Sequence, residues 1–233
     1  MVRHPSADPQ LITKSEDLAA FCGALAHAPF ITIDTEFLRE KTYWPILCLV
    51  QIAGPEADQV AAIDTLAPGL DLSPLAALLK NTKVTKVFHA ARQDVEIFFR
   101  MTGVDTQVLA MVCGFGDAAS YETLAAKLAN VRLDKLARFT DWSRRPLSAR
   151  RLDYALSDVI HLRGIYQKLH DKAEKASRLE WIEDEMALLT DPATYRIDPN
   201  ESWRRLKVRS RQPRFLAVLR AVAAWREREA QSR

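Results

Sequence analysis

The chain has 233 residues, 48% of them hydrophobic and 27% charged, with a formal charge of +3; this is an ordinary globular composition that can bury one good core with an appendage, and it excludes a low-complexity chain. Residues 1–10, MVRHPSADPQ, lack the apolar stretch of a signal peptide, and no apolar run approaches the roughly 20 residues of a membrane span, so the expectation is a cytoplasmic protein with no membrane partner. The three cysteines, Cys22, Cys48 and Cys113, form no C-x-x-C and share no ligand spacing with the five histidines, which argues against disulfides and zinc.

Taken in chain order, SEDLAAFCGALAHA predicts a helix with Ser15 as N-cap and Leu18, Phe21, Cys22 and Leu25 on one side. Strands follow at 30–37, 46–53 and 59–64, then a short helix in PLAALLKN and a fourth strand at 84–89. ARQDVEIFFRMTG reads as a helix with Val95, Phe98 and Phe99 inward and Gly103 past its end, and SYETLAAKLANV as another, capped by Ser120. From Ser148, again an N-cap, a long helix carries Leu152, Ala155, Leu156, Val159, Leu162 and Tyr166 as its buried stripe. A further helix at about 177–190 leads to DPATYRIDPNESW, which has the prolines and Asp/Asn of an extended linker. The last segment, PRFLAVLRAVAAWREREAQSR, is an amphipathic helix showing Phe215, Leu219 and Val222 on one side; it reads as the start of a further module or as an arm packed on the main body. Strands first and helices after them predict a mixed α/β sheet with helices on its faces.

Charge is uneven along the chain. Residues 201–233 hold ten Lys or Arg against three Glu, a tail of +7 on a body of −4. Such a tail suits a polyanion partner, and a solvated basic helix is the alternative.

The strand FITIDTEFL places Asp34 and Glu36 two residues apart, hence side by side on one face. Two buried carboxylates that close repel, so one keeps its proton unless a cation, usually a metal ion, sits between them. Further acids stand where a bland core would not put them: Asp94 shortly after the fourth strand and Asp158 in YALSD, with Tyr154 one turn before it on the same helix face.

These residues, together with IDTEFLREKTYWPILCLVQIA, KVFHAARQDVEIF, DTQVLAMVCGFG, LDYALSDVIHL and DPATYRIDPNESWRRLK, resemble the ribonuclease D group of 3′→5′ exonucleases over nearly the whole chain. The resemblance implies an α/β fold of the ribonuclease-H-like kind, a mixed sheet flanked by helices with a C-terminal helical arm. It implies that Asp34, Glu36, Asp94 and Asp158 hold two divalent ions, Mg²⁺ or Mn²⁺, and that Tyr154 orients the attacking water. Two such ions about 4 Å apart serve the attacking and leaving oxygens of a phosphodiester together, and hard ions prefer oxygen ligands. On this reading Asp34 bridges, Glu36 and Asp158 hold the nucleophile-side ion, and Asp94 holds the leaving-group-side ion. The tyrosine is too weak an acid to be the base.

Other residues carry two readings each. Thr35 and Phe37 flank the acids and suit the terminal nucleotide; Phe37 is equally a core residue. His89 and, more weakly, Gln93 suit the scissile phosphate or ribose, with a structural role as the alternative. Arg144, Arg145, Arg150 and Arg151 precede the Asp158 helix and suit an RNA backbone or a salt-bridged loop. Trp44, Trp142 and Trp181 read as packing residues. The resemblance further implies RNA 3′ ends as substrate, tRNA precursors among them, nucleoside 5′-monophosphates as products, and no obligate protein partner. It divides the chain into an exonuclease domain at 1–190, a linker at 191–212 and, at 213–233, the start of a truncated helical module of the kind that follows the nuclease domain in the family. The alternatives are a 3′→5′ exonuclease on DNA or short oligonucleotides, and an inactive nucleic-acid-binding relative.

Overall fold

In a computed structural model of the chain, the structure describes residues 10–90, 92–102, 140–177 and 191–232. A five-stranded sheet runs in the order β1 (Gln10–Ile12), β4 (Val60–Ile63), β3 (Ile46–Ala53), β2 (Phe30–Leu38), β5 (Thr85–Val87). β2–β3 and β3–β4 are antiparallel, and β1 and β5 join the two edges in parallel. Four of these strands lie where the apolar runs predict them. β1 is an addition: its three residues are too short to show a pattern, and pairing with β4 decides its conformation.

Alternation along the strands sends side chains to two cores. One face, with Ile31, Ile33, Val50, Ile52, Ala61 and Ile63, packs on Leu18 and Leu25 of α1 (Ser15–Leu25), on Leu75, Leu78 and Leu79 of α2 (Ser73–Lys80), and on Val95 and Phe98 of α3 (Arg92–Thr102). The other, with Cys48, Leu49 and Ala62, packs on Trp142 and on Leu152, Ala155 and Leu156 of α4 (Ala149–Lys175). The predicted stripe of α4 from Leu152 to Leu162 is buried, and Ser148 caps the helix by accepting a hydrogen bond from the Arg151 N–H. The Thr32 hydroxyl pins the middle of α4 to β2 by donating to the Val159 carbonyl at 2.8 Å.

Three expectations change. Ser15 is the first residue of α1 rather than its cap, and its Oγ accepts from the Asp71 N–H at 2.9 Å, tying α1 to the turn before α2. The stretch expected as an extended linker contains α5 (Pro192–Tyr195) and a 3₁₀ helix (Pro199–Arg205), with Tyr195 and Ser202 buried. Each proline stands at a helix start, where its missing N–H costs nothing. In α6 (Pro213–Gln231) the buried residues are Ala223, Ala224 and Glu227, whereas Phe215 and Val222 of the expected inward side are exposed. Small side chains allow close approach to the 3₁₀ helix, and a hydrogen-bonded Glu227 fixes the rotation. The helices expected at 120–131 and 177–190, Trp181 and Cys113 lie outside the described residues.

Candidate active site

β2 is the strand from which the site is built. β5 pairs with it over Phe30–Thr32, and among the described residues no strand pairs with β2 beyond Thr32 on that side. α3 begins five residues after β5 ends, and its first turn brings Asp94 to that edge. Thr32, Asp34 and Glu36 share the face covered by α4, where Asp158 stands one residue before the Val159 carbonyl that Thr32 holds. Strand, edge helix and covering helix thus each contribute acids to one place.

Electrostatics shows the convergence. Asp34 has its pKa raised well above the ordinary carboxylate range, first by burial and then by the charges of Asp94, Asp158 and Glu36. Burial, followed by the charges of Asp158 and Asp94, raises Glu36 to about 8. Asp158 rises to about 7 through burial. Asp94 rises to about 6, burial being partly offset by the Thr35 hydroxyl, which donates to its carboxylate. Four carboxylates cannot all ionise at neutral pH in such a place without a cation. An all-oxygen, acidic donor set is the one small hard divalent ions take, so the residues present fit such a cofactor. Among the described residues the tightest ligand trio lies elsewhere: one ligand atom each from His170, Asp171 and Glu174, on the exposed end of α4, lie within 4.8 Å of one another. With two members exposed it has the character of a solvated helix surface, and the buried four-acid site has the chemistry.

Thr35 was singled out by sequence for another role, and Arg39 and Gln51 were not singled out. Thr35 points away from Asp34 and Glu36 and is buried against Asp94, so its side chain steadies an acid. Arg39, at the end of β2, forms a fork on Glu96 of α3, at 2.8 and 3.1 Å, two residues beyond Asp94. Gln51 stands opposite Asp34 on β3 and is wholly buried. Register alone identifies it, and no local pattern does.

Tyr154 lies one turn before Asp158, half-buried, with its ring stacked on that of Trp142 at 6.4 Å. Phe37 is half-buried just past a register shift in β2. His89 is half-buried between β5 and α3, and burial lowers its pKa, which favours the neutral imidazole. Gln93 and Arg150 are exposed at the first turns of α3 and α4. Arg144 is exposed and pairs with Asp141 at 3.1 Å. Arg145 takes the second of its two readings, the salt bridge. Its guanidinium is held by both Asp64 oxygens at 2.6 and 2.7 Å and by the Trp142 and Cys48 carbonyls at 2.6 and 2.8 Å. Donors committed inside the protein leave it as a tie between β4, β3 and the loop before α4, and not as a backbone contact for nucleic acid. Trp142 is buried, and Trp44 lies under the Arg100 guanidinium at 3.1 Å and donates to the Gln231 carbonyl at 3.1 Å, so both pack as expected.

Residues 9–174 match a family profile described as 3′-5′ exonuclease. The chain is 57% identical to ribonuclease D of Granulibacter bethesdensis over 235 residues, which cover 98% of this chain and 58% of that protein. Among solved structures it resembles Escherichia coli RNase D, described as an exoribonuclease involved in structured RNA processing, with 34% identity, a TM-score of 0.83 and coverage of 97% of this chain and 61% of the other. It also shares a fold with Brucella melitensis NrnC with bound Mg²⁺, at 22% identity, a TM-score of 0.63 and coverage of 88% and 97%. The chain thus spans under two thirds of the length of its ribonuclease D relatives.

Proposed function

From a chain that belongs to the 3′-5′ exonuclease family, and within it to the ribonuclease D group, we propose a metal-dependent 3′→5′ exoribonuclease that releases nucleoside 5′-monophosphates. The observation that carries this reading is the convergence of Asp34, Glu36, Asp94 and Asp158 from three elements into one buried cluster whose pKa values are all raised. Residues 1–190 form the nuclease domain on this reading, 191–212 the connection, and 213–233 the first helix of a further helical module. Maturation of tRNA 3′ ends in the cytoplasm is the setting the resemblance suggests.

The four acids would hold two divalent ions, Mg²⁺ or Mn²⁺; a neighbour of the same fold, Brucella melitensis NrnC, has bound Mg²⁺. Bound there, the ions supply charge for the attacking and leaving oxygens of the phosphodiester. Asp34 would be shared by both ions, Glu36 and Asp158 would hold the nucleophile-side ion, and Asp94, whose carboxylate accepts from the Thr35 hydroxyl, would hold the leaving-group-side ion. Tyr154, braced on Trp142, orients the attacking water through its hydroxyl. On this reading Thr35, through its backbone, and Phe37 contact the terminal nucleotide, His89 and Gln93 the scissile phosphate or ribose, and Arg144 and Arg150 the RNA backbone.

The test is a denaturing-gel time course with 5′-labelled single-stranded RNA and the matching DNA, each with Mg²⁺, Mn²⁺ or EDTA. A metal-dependent ladder shortening from the 3′ end of RNA, with DNA cut far more slowly, is the expected result. Equal cutting of both makes the protein a general 3′→5′ exonuclease, and cutting in EDTA rules out the metal scheme.

A further inference from the structure

Away from the four acids, the 3₁₀ helix and α6 enclose a cavity of about 490 Å³. Its walls include Glu201, Trp203 and Arg204 from the 3₁₀ helix and Arg220 and Arg228 from α6. That volume suits one nucleotide or a short stretch of sugar–phosphate backbone.

The charges in this cavity do not cancel. Arg204 pairs with Glu201, the acid in the wall, so that pair is neutral. Arg220 and Arg228 have no acidic partner among the described residues and leave the cavity with two uncompensated guanidinium groups. Arg220 also lies over the Trp203 ring, at 4.4 Å from its centre, and Arg204 approaches the same ring at 5.6 Å. Stacking on an indole fixes the plane of a guanidinium and leaves its N–H edge outward, which is how an arginine is prepared for two-point contact with a phosphate. Arg220 and Arg228 are eight residues apart on one helix, a rise of about 12 Å, so they contact different phosphates of one strand.

α6 is also fixed with respect to the catalytic strand. Tyr43 and Trp44, in the loop between β2 and β3, donate to Glu227 and to the Gln231 carbonyl near its C-terminal end. The loop leaves β2 directly after Glu36, Phe37 and Leu38. The basic pocket is thereby clamped to the same strand that carries Asp34 and Glu36.

We propose that the Trp203–Arg220–Arg228 pocket is an accessory subsite for single-stranded RNA, taking backbone phosphates of the strand whose 3′ end lies at the four acids. RNA as the ligand rests on the nuclease reading above; a phosphodiester anion as the chemistry of the pocket rests on its own arginines. Aromatic and arginine surfaces of this kind hold single strands without reading sequence, so the subsite sets grip on longer RNA.

Fluorescence anisotropy with a 5′-labelled RNA of about 16 nucleotides, the upper end of single-strand site sizes, tests this in EDTA, where no turnover is expected. Arg220→Gln/Arg228→Gln is compared with Arg211→Gln/Arg214→Gln, which removes equal charge from outside the cavity. The expected result is about a tenfold loss of affinity for the pocket variant, with the slope of log K against log salt falling by about 1.4, and a much smaller change for the control. Arg228→Gln alone, which leaves the Trp203 stack in place, shows about half that slope change. Equal losses in the two double variants, or a pocket variant that binds as the unaltered chain does, overturn the subsite. Inorganic phosphate at millimolar concentration displacing the RNA completely makes it a free-anion site and also overturns it. The nuclease reading fails separately, on absence of a metal-dependent 3′ ladder from the unaltered chain, since binding in EDTA needs no cleavage.

Discussion

Carboxylates are buried at two places in this molecule, the end of β2 and the clamp on α6, with opposite electrostatic outcomes. At β2, burial raises Asp34, Glu36, Asp94 and Asp158, and the charges of neighbouring acids raise Asp34 and Glu36 further. At the clamp, Glu227 is 3% exposed, yet its pKa is lowered. Burial pushes it up, but hydrogen bonds from Tyr43 and Arg205, with the charges of Arg205 and Arg226, outweigh burial. Arg205 reaches it at 2.6 Å. A buried acid given donors and a cation is a fastening, whereas acids gathered so that burial raises all of them call for a counter-charge, and that difference marks function.

The largest expected effect comes from removing one of the repelling acids. Asp158→Asn lowers kcat by more than about 100-fold, because even groups that only support metal ligands cost 10- to 100-fold. The same change raises the melting temperature of the metal-free protein, since it relieves repulsion. A variant that loses activity and stability together breaks the comparison, and kinetics beside a thermal melt read both.

Next in size is the pH dependence of stability. The acids of the β2 site have raised folded pKa values, so the folded state binds more protons than the unfolded chain between about pH 4.5 and 8. Their contribution is present at the acid end of that window and is lost as pH rises through it. Melting of the metal-free protein therefore falls across this window by several degrees, and Mg²⁺ restores more at pH 8 than at pH 5. Glu227 has the opposite sign: its contribution is present above the ordinary glutamate value of 4.5 and is lost as pH falls through its lowered folded value. A Glu227→Gln variant therefore loses part of the stability change seen as pH falls below 4.5 and keeps the slope above it.

Thr35→Val tests the hydroxyl that gives Asp94 its side-chain donor among the described residues. The Mg²⁺ concentration for half-maximal activity rises by about tenfold, and Thr35→Ser keeps the unaltered value. The smallest effect is at the clamp. Arg205→Ala lowers stability by about 1 kcal/mol, because Arg205 is half in water and Tyr43 still donates to Glu227; chemical denaturation measures it.

How much of this was legible in sequence depended on the range of the interaction. Ser148 capped its helix as read, since the cap reaches only to Arg151. Ser15 did not, because a partner 56 residues away, the Asp71 N–H, took its oxygen. Arg145 shows the same limit: a basic loop reads as available to phosphate, and Asp64, 81 residues away, is invisible to that reading. Thr35 read as a contact for the terminal nucleotide, since nothing local reveals that Asp94 of α3 lies across from it.

The sequence by itself determined four central and edge strands, the buried stripe of α4, and the set of acids with Tyr154, because side-chain periodicity and residue type are properties of short segments. Tertiary structure alone decided that the acids meet. The β5 pairing ends at Thr32, α3 brings Asp94 to Thr35 beyond it, and the Thr32–Val159 bond sets α4 so that Asp158 stands over the strand. Tertiary structure likewise turned α6 to bury Ala223, Ala224 and Glu227 and left Arg220 and Arg228 lining a cavity with Trp203. Helix rotation follows whichever face finds complementary partners, and those partners come from segments far away in the chain.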